Sequence, residues 1–198
     1  GNKILGLYEQ DVQKLLEHLQ TQQRHSTLIN IGGADGYYAV GAIINSLFDR
    51  SIVFEKSERG RESIHQHGIE NHVDHKLSIR KEINSAKLHD FIQDNKSSIS
   101  NMLFLIDIEG NEYELLTEAV LHNLSNNHLI VEIHDEFIHD KYDDSPAPQP
   151  IDFARAKETL RARAELTHNI EIIYESGRDL SNLSSIRNWP DNTRSLLI

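Results

Sequence analysis

Residues 102–108, MLFLIDI, form an unbroken apolar run that turns acidic at Asp107. A strand that is apolar on both sides has to be covered on both faces, as the strands of a parallel sheet are. Residues 27–31, 51–55 and 128–133 repeat the pattern, and segments with helical spacing separate them. This alternation predicts an α/β doubly wound domain, in which helices cover both faces of a mostly parallel sheet.

The remaining elements follow from weaker patterns. An amphipathic helix is expected over about residues 8–23, ahead of the core at about residues 27–198. We predict one domain over residues 1–198, because a chain of 198 residues is long enough for a single well-covered core. Further helices are predicted at residues 37–48, 58–67, 86–93, 111–124 and 152–166, and further strands at residues 73–79, 170–174 and 195–198.

The composition narrows the kinds of partner. The formal net charge is −11, so we expect neither nucleic acid nor an anionic membrane as a partner, since both attract basic proteins. The absence of cysteine excludes disulfides, thiolate metal ligands and a cysteine nucleophile. No apolar run approaches the roughly 20 residues of a membrane helix, and no signal peptide is recognisable. We therefore expect a cytoplasmic protein.

The densest glycine cluster lies directly after the first predicted core strand, in INIGGADGYY at residues 29–38. In open parallel sheets, ligands bind beyond the carboxyl ends of the strands, and glycine lets the backbone come close to a ligand there. Gly32, Gly33 and Gly36 do not have the G-x-G-x-x-G spacing of dinucleotide-binding folds. A nicotinamide-dependent oxidoreductase is therefore disfavoured, while glycines that serve only the conformation of the turn remain an alternative.

Acidic residues mark the ends of two other predicted strands. Glu55 ends the strand after the glycine turn, where an acid can accept hydrogen bonds from both ribose hydroxyls of an adenosine-type cofactor. A solvated carboxylate at the end of the strand is the alternative. Asp107 is followed closely by Glu109 and Glu112, and such acids are costly beside an apolar strand unless they are solvated, paired or used.

Four segments together resemble the FkbM family of S-adenosylmethionine-dependent methyltransferases: GGADGYY, VFEKSERGRESI, LFLIDIEGNEYELL and HLIVEIH, in this order. The resemblance covers about residues 27–134. It implies a class I methyltransferase fold, a Rossmann-like three-layer sandwich with seven strands, the last one antiparallel. It also implies S-adenosylmethionine as cofactor and methyl transfer, usually to a hydroxyl oxygen of a small acceptor such as a sugar or a secondary metabolite.

The resemblance also assigns cofactor-binding residues. Glu55 would hold the ribose. Class I methyltransferases often have an acid where this chain has Asn30, and asparagine lacks the charge that helps to fix the methionine amino group. The turn beside the methionine part of the cofactor comprises Asn30, Gly32, Gly33, Asp35 and Gly36.

The expected catalytic residues are Asp107 and His134, at the ends of adjacent predicted strands. His134 suits the role of a base that takes the acceptor's proton near neutral pH, and Asp107 could orient either His134 or the acceptor. A divalent metal held by these two residues and Asp135 is an alternative that the spacing leaves open. His134 could equally be a polar residue that simply ends a strand.

Two further expectations concern function and extent. A non-catalytic binding or regulatory module with the methyltransferase fold is the alternative to an enzyme, and Asn30 slightly favours it. Residues 138–150 contain several prolines and no apolar periodicity, so they predict an exposed loop that could act as a lid. Gly1 and the apolar ending are consistent with a natural chain that is longer at either end.

Overall fold

The structure is a computed structural model that describes residues 9–134 and 152–174. The predictions for residues 138–150 and 195–198, and for Asp135, lie outside the described residues. The strands are β1 (Thr27–Ile31), β2 (Arg50–Phe54), β3 (Leu77–Arg80), β4 (Met102–Ile106) and β5 (Leu129–Val131). The helices are α1 (Gln10–Gln22), α2 (Tyr37–Ile44), α3 (Glu58–Glu70), α4 (Ser85–Asp94), α5 (Glu112–Leu115), α6 (Glu118–Asn123) and α7 (Phe153–Glu165).

The described strands form one parallel sheet, which confirms the α/β prediction. Their order across the sheet is β3-β2-β1-β4-β5, and every neighbouring pair is parallel. The chain moves outward from β1 to β3 and then returns to place β4 on the other side of β1. The order of the strands therefore reverses between β1 and β4, and in open sheets such a switch point is where ligands bind.

The apolar strands are buried because helices cover both faces of the sheet. On one face, side chains of alternate strand residues such as Ile29, Phe54 and Phe104 pack with α4, α5, α6 and α7. On the other face, Val53 packs with Ile64 of α3 and with α2. All residues of β1 and β4 are buried, as strands covered on both faces require.

Three predicted elements differ most from the structure, while others, such as α2 and β5, are a few residues shorter than predicted. Residues 170–174 form no strand: they pair with none of the described strands, and Tyr174 is 84% exposed. The strand predicted at residues 73–79 begins only at Leu77, after a short 3-10 helix. The helix predicted at residues 111–124 is two helices, because the Thr117 side chain accepts the Val120 N–H and begins α6 there.

The chain separates into two compact units. One spans Gln23–Ile170 and contains the whole sheet. The other combines the two ends of the chain, and its described residues are 9–22, which include α1, and 171–174. One domain over the whole chain stays a prediction. Within residues 9–134 and 152–174, no helix is long and apolar enough to cross a membrane.

Two histidines meet at the amino edge of the sheet, where β1 and β5 begin. His25 is 1% exposed, and its Nε2 lies 3.2 Å from Nδ1 of His128. Burial lowers the pKa of His25 and the nearby His128 lowers it further, against a smaller opposing effect of a hydrogen bond with the backbone of Gln23. The folded protein therefore binds a proton at His25 less readily than the unfolded chain does.

Acid should destabilise the fold through His25. The free energy of unfolding is expected to fall as the pH drops below 6.5, the ordinary pKa of histidine, towards the lower pKa in the folded protein, because the unfolded chain binds more protons there. Urea unfolding of the wild type and His25→Gln at a series of pH values measures this. The variant should lose less stability in that range, and equal losses would contradict the assignment. His122→Gln, which changes an exposed histidine, is the control.

Candidate functional site

The candidate residues gather at the carboxyl edge of the sheet, in the segments that follow β1, β2, β4 and β5. The N–H group of Asp107 donates to the carbonyl of Ile31, which holds the ends of β4 and β1 side by side. The glycine turn follows β1 and Glu55 follows β2, so both lie at the same edge. The predicted cofactor and catalytic residues are therefore neighbours in the fold.

The three glycines of the turn are required by the protein's own packing. Gly32 has φ +91°, and a Cβ built on it would lie 1.6 Å from the carbonyl oxygen of Asp107. A Cβ on Gly33 would lie 2.3 Å from Cγ1 of Val53, and Gly36 has φ +88° and faces Ile64 of α3. These positions account for the glycines through backbone conformation and close packing. Direct contact of the three with a cofactor stays a prediction.

Glu55 ties this turn to β2. Its side chain is almost buried, with 8% of the residue exposed. Oε2 accepts the N–H of Ala34 at 2.8 Å, and Oε1 accepts the N–H of Ser57 at 2.7 Å. Ala34 has φ +46°, an unusual conformation for a residue with a side chain, and the bond to Glu55 helps to hold it. Each carboxylate oxygen keeps a second lone pair, so these two bonds leave acceptor capacity for a ribose.

The backbone donors of the turn are used within the protein. The N–H groups of Gly32 and Gly33 donate to the carbonyl of Phe54 at 2.9 and 3.3 Å, and the N–H of Gly36 donates to the carbonyl of Gly33 at 2.7 Å. With the bond from Ala34 to Glu55, four donors of the turn are engaged. A phosphate-binding glycine loop instead directs its N–H groups at the ligand.

The two remaining predicted residues of the turn have structural contacts as well. Asn30 is 2% exposed, and its Nδ2 lies 3.4 Å from the carbonyl oxygen of Gly32, a long hydrogen bond. An aspartate there would turn an oxygen towards the same carbonyl, which explains why an amide suits this position. Asp35 accepts the N–H of Tyr37 at the start of α2, and its carbonyl lies 2.8 Å from Nδ1 of His67.

Asp107 and His134 lie together as the sequence predicts. Nε2 of His134 is 3.6 Å from Oδ1 of Asp107, with 10% and 24% of the two side chains exposed. The same nitrogen lies 3.3 Å from Glu109 and 3.7 Å from Glu132. Glu132 was not predicted, although it stands two residues before His134, a spacing that places both side chains on one side of a strand.

Glu112 is the other residue that the sequence does not reveal. It is completely buried, and its Oε1 lies 2.9 Å from Nδ1 of His134. The next residue, Tyr113, donates its hydroxyl to the carbonyl of His134 at 2.6 Å. The start of α5 therefore holds both the ring and the backbone of His134.

The surrounding carboxylates change the pKa of His134. Burial alone lowers this pKa, but the charge of Glu112 and the hydrogen bond with it raise the pKa, and Glu109 and Asp107 add to the rise. The net effect is a pKa above the ordinary value of 6.5. A proton on His134 is thus stabilised by negative charge on several sides.

A subset of these residues has the geometry of a metal-binding group. Asp107, Glu132 and His134 each offer one ligand atom, and the three atoms lie within 4.8 Å of one another. Two carboxylates and an imidazole suit several divalent ions. The predicted metal set contained Asp135, which lies outside the described residues, and Glu132 is an unpredicted acid that joins Asp107 and His134 within them.

The sequence was compared with protein families, curated proteins and solved structures. No family model and no curated protein sequence matches it. The structure is similar to an O-methyltransferase from Bacillus cereus in complex with SAH, at 16% identity and a TM-score of 0.47, over 77% of this chain and 66% of that protein. This chain therefore spans about two thirds of that protein's length.

Two other solved structures are also similar to this chain, the second more distantly. One is a domain assigned as a precorrin methyltransferase from Corynebacterium diphtheriae, with 19% identity and a TM-score of 0.48 over 83% of this chain and 79% of that one. The other is a tRNA methyltransferase from Bacillus subtilis, with 14% identity and a TM-score of 0.37 over 59% and 47%. At these values the likeness establishes no activity for this chain.

Proposed function

We propose that the chain is an S-adenosylmethionine-dependent methyltransferase that transfers a methyl group to a hydroxyl of a small acceptor, such as a sugar or a secondary metabolite. The proposal includes membership of the FkbM family, which the sequence resembles, and the seven-stranded sheet with an antiparallel last strand. The observation that carries it is the convergence of the glycine turn, Glu55 and the Asp107–His134 pair at the switch point of the sheet.

The chemistry of the site favours this cofactor over a dinucleotide. Four N–H donors of the glycine turn are engaged within the protein, whereas a pyrophosphate would need such donors for itself. Carboxylates surround His134 at the neighbouring strand ends. S-adenosylmethionine has no phosphate and carries a sulfonium and an ammonium group, so an acidic edge attracts it.

In this proposal, residues at different strand ends bind different parts of the cofactor. Glu55 would accept hydrogen bonds from the ribose hydroxyls through its remaining lone pairs, while it keeps its bonds to Ala34 and Ser57. The methionine part would lie along the turn of Asn30, Gly32, Gly33, Asp35 and Gly36. Because Asn30 carries no charge and is 2% exposed, its contribution to affinity should be small.

Asp107 and His134 would serve the chemical step. S-adenosylmethionine, when bound, supplies an electrophilic methyl group. His134 would accept the proton of the acceptor hydroxyl at Nε2, the nitrogen that faces Asp107. Asp107 would orient the hydroxyl and stabilise the imidazolium that forms. Asp107, Glu132 and His134 could instead hold a divalent ion that acidifies the hydroxyl, and the proposal does not require one.

The wild-type protein is expected to bind S-adenosylmethionine, and Glu55→Ala should bind it at least about tenfold more weakly, because hydrogen bonds to a charged group are lost. Isothermal titration calorimetry measures both affinities. Glu58→Ala, which removes an exposed acid three residues away, is the matched control and should bind as the wild type does. Circular dichroism establishes that each variant is folded. If neither S-adenosylmethionine nor S-adenosylhomocysteine bound at millimolar concentration, the proposal would fail.

The alternative is a non-catalytic module with the same fold. The buried, uncharged Asn30 is the observation that favours it. Cofactor binding without formation of S-adenosylhomocysteine on a panel of hydroxylated acceptors would support the module. Turnover on any acceptor would support the enzyme and would define the acceptor class. One arm of the panel is nucleic acid.

A further inference from the structure

Glu112 is a carboxylate placed where the protein interior usually excludes charge. It is completely buried at the first position of α5, directly behind the site. Burying a carboxylate is costly unless hydrogen bonds compensate for the lost water.

Oε1 of Glu112 joins two segments of the candidate site. It accepts the N–H of Ile108 at 3.1 Å and the N–H of Gly110 at 3.2 Å, both in the turn that follows β4. Glu109 and Gly110 have positive φ values in this turn, so the chain curls back around the carboxylate. The same oxygen lies 2.9 Å from Nδ1 of His134, which follows β5. One buried atom thus links the strand ends that carry Asp107 and His134.

These bonds determine how the imidazole of His134 is oriented. Carboxylate oxygens face both ring nitrogens, but the contact of Nδ1 with Glu112 is the shortest, at 2.9 Å, so the proton of the neutral ring belongs on Nδ1. Nε2 is left on the opposite side of the ring, where carboxylate oxygens of Asp107, Glu109 and Glu132 lie 3.3 to 3.7 Å away. The hydroxyl of Tyr113 fixes the backbone of the same residue through its carbonyl.

We propose that Glu112 is a positioning residue, which holds His134 with Nδ1–H towards the interior and Nε2 towards Asp107. The effect of this positioning on catalysis rests on the proposed methyl transfer, in which a base must present a free lone pair to the acceptor hydroxyl. In the step, the O–H bond would break and its proton would go to Nε2. The electron pair left on oxygen would form the bond to the methyl carbon, while the methyl–sulfur bond breaks and its electron pair stays on sulfur. Without Glu112 the ring could turn or take the other tautomer, and Nε2 would lose its lone pair.

Glu112→Gln separates the charge of this residue from its shape. The amide oxygen can still accept the N–H groups of Ile108 and Gly110, and no described group donates to Oε2, so an amide nitrogen there breaks no hydrogen bond. Glu112→Ala removes the contact altogether. Glu114→Gln and Glu114→Ala change an exposed acid on the same short helix and are the matched controls.

The first readout is the ¹⁵N NMR spectrum of the His134 ring, recorded without cofactor and with a chelator present. The wild type should show the Nδ1–H tautomer when the ring is neutral. In Glu112→Gln the ring should titrate at lower pH, because the charge of Glu112, the largest of the effects that raise the pKa of His134, is gone. An unchanged tautomer and titration in both Glu112→Gln and Glu112→Ala would overturn the proposal, even if both variants were less stable.

The second readout is the kinetics of methyl transfer. Glu112→Ala should lower kcat by about 100-fold, the usual effect of a misplaced catalytic group, with little change in KM for the acceptor. Glu112→Gln should recover most of this loss and shift the pH profile towards acid. If Glu112→Ala does not fold, the titration of the His134 ring in Glu112→Gln, compared with that in Glu114→Gln, still tests the proposal. The NMR readout needs no cofactor. Failure to bind S-adenosylmethionine would therefore reject the proposed function, while the NMR spectra would still test the role of Glu112.

Discussion

Gly32→Ala is expected to destabilise the folded protein by about 3–5 kcal/mol, enough to unfold a domain of ordinary stability. The added Cβ would lie 1.6 Å from the carbonyl oxygen of Asp107, and that oxygen belongs to backbone that cannot rotate away. The φ of +91° adds strain for any residue with a side chain. The ends of β1 and β4 would have to move apart, and both strands are buried.

Gly41→Ala is the matched control for this prediction. Gly41 lies within α2, and a Cβ there would meet nothing within 4 Å. Alanine should therefore stabilise the helix by about 0.5–1 kcal/mol. Urea unfolding followed by circular dichroism measures both variants. A Gly32→Ala protein as stable as the wild type would show that the turn does not pack as the structure describes.

His134→Asn is expected to reduce methyl transfer by about 100- to 10,000-fold, the range for loss of a general base, while the affinity for S-adenosylmethionine stays unchanged. His134 contacts Asp107 and Glu112, whereas Glu55 bonds to Ala34 and Ser57, so the proposed ribose contacts should survive. The rate in the wild type should rise with pH through a pKa above 6.5, because only the neutral ring accepts a proton and the carboxylates raise the pKa. Formation of S-adenosylhomocysteine measures the rate.

His122→Asn is the control for this second prediction, since His122 is exposed on α6. It should leave both the rate and the pH profile unchanged. Activity in His134→Asn equal to that of the wild type would remove His134 from the mechanism. Asp107 would then be the remaining candidate for the base.

The fold could be predicted because burial leaves a direct trace in the sequence. A strand covered on both faces has no polar side, and MLFLI of β4 is buried at every position. Residues 170–174 show where this argument fails. Their β-branched and aromatic residues have the composition of a strand, but a strand also needs a neighbour, and none of the described strands pairs with them. The local sequence does not contain that information.

Only those site residues that directly follow strands could be predicted from the sequence. Asp107 and His134 follow β4 and β5, and parallel neighbours bring such residues together. Glu112 has the sequence pattern of an ordinary acid in the first turn of a helix, where the helix dipole favours it. Its contact with His134, 22 residues further along the chain, is a tertiary feature that local spacing does not encode.

The glycine turn shows the same limit of local sequence information. Its glycines predicted a tight turn at the right place, but the atom that excludes a side chain at Gly32 belongs to Asp107, far away in the sequence. A substitution at Gly32 therefore cannot separate ligand binding from folding. Glu55→Ala serves that purpose better, because it leaves the backbone at Gly32 unchanged, and circular dichroism shows whether the loss of its bonds to Ala34 and Ser57 affects folding.

The central claim is that S-adenosylmethionine binds at the switch point between β1 and β4. A crystal structure of the protein with S-adenosylhomocysteine tests it most directly. The account predicts the ribose at Glu55, the amino acid part along residues 30–36, and the sulfur facing Asp107 and His134. A ligand bound elsewhere, or crystals that remain free of ligand at saturating concentration, would contradict it.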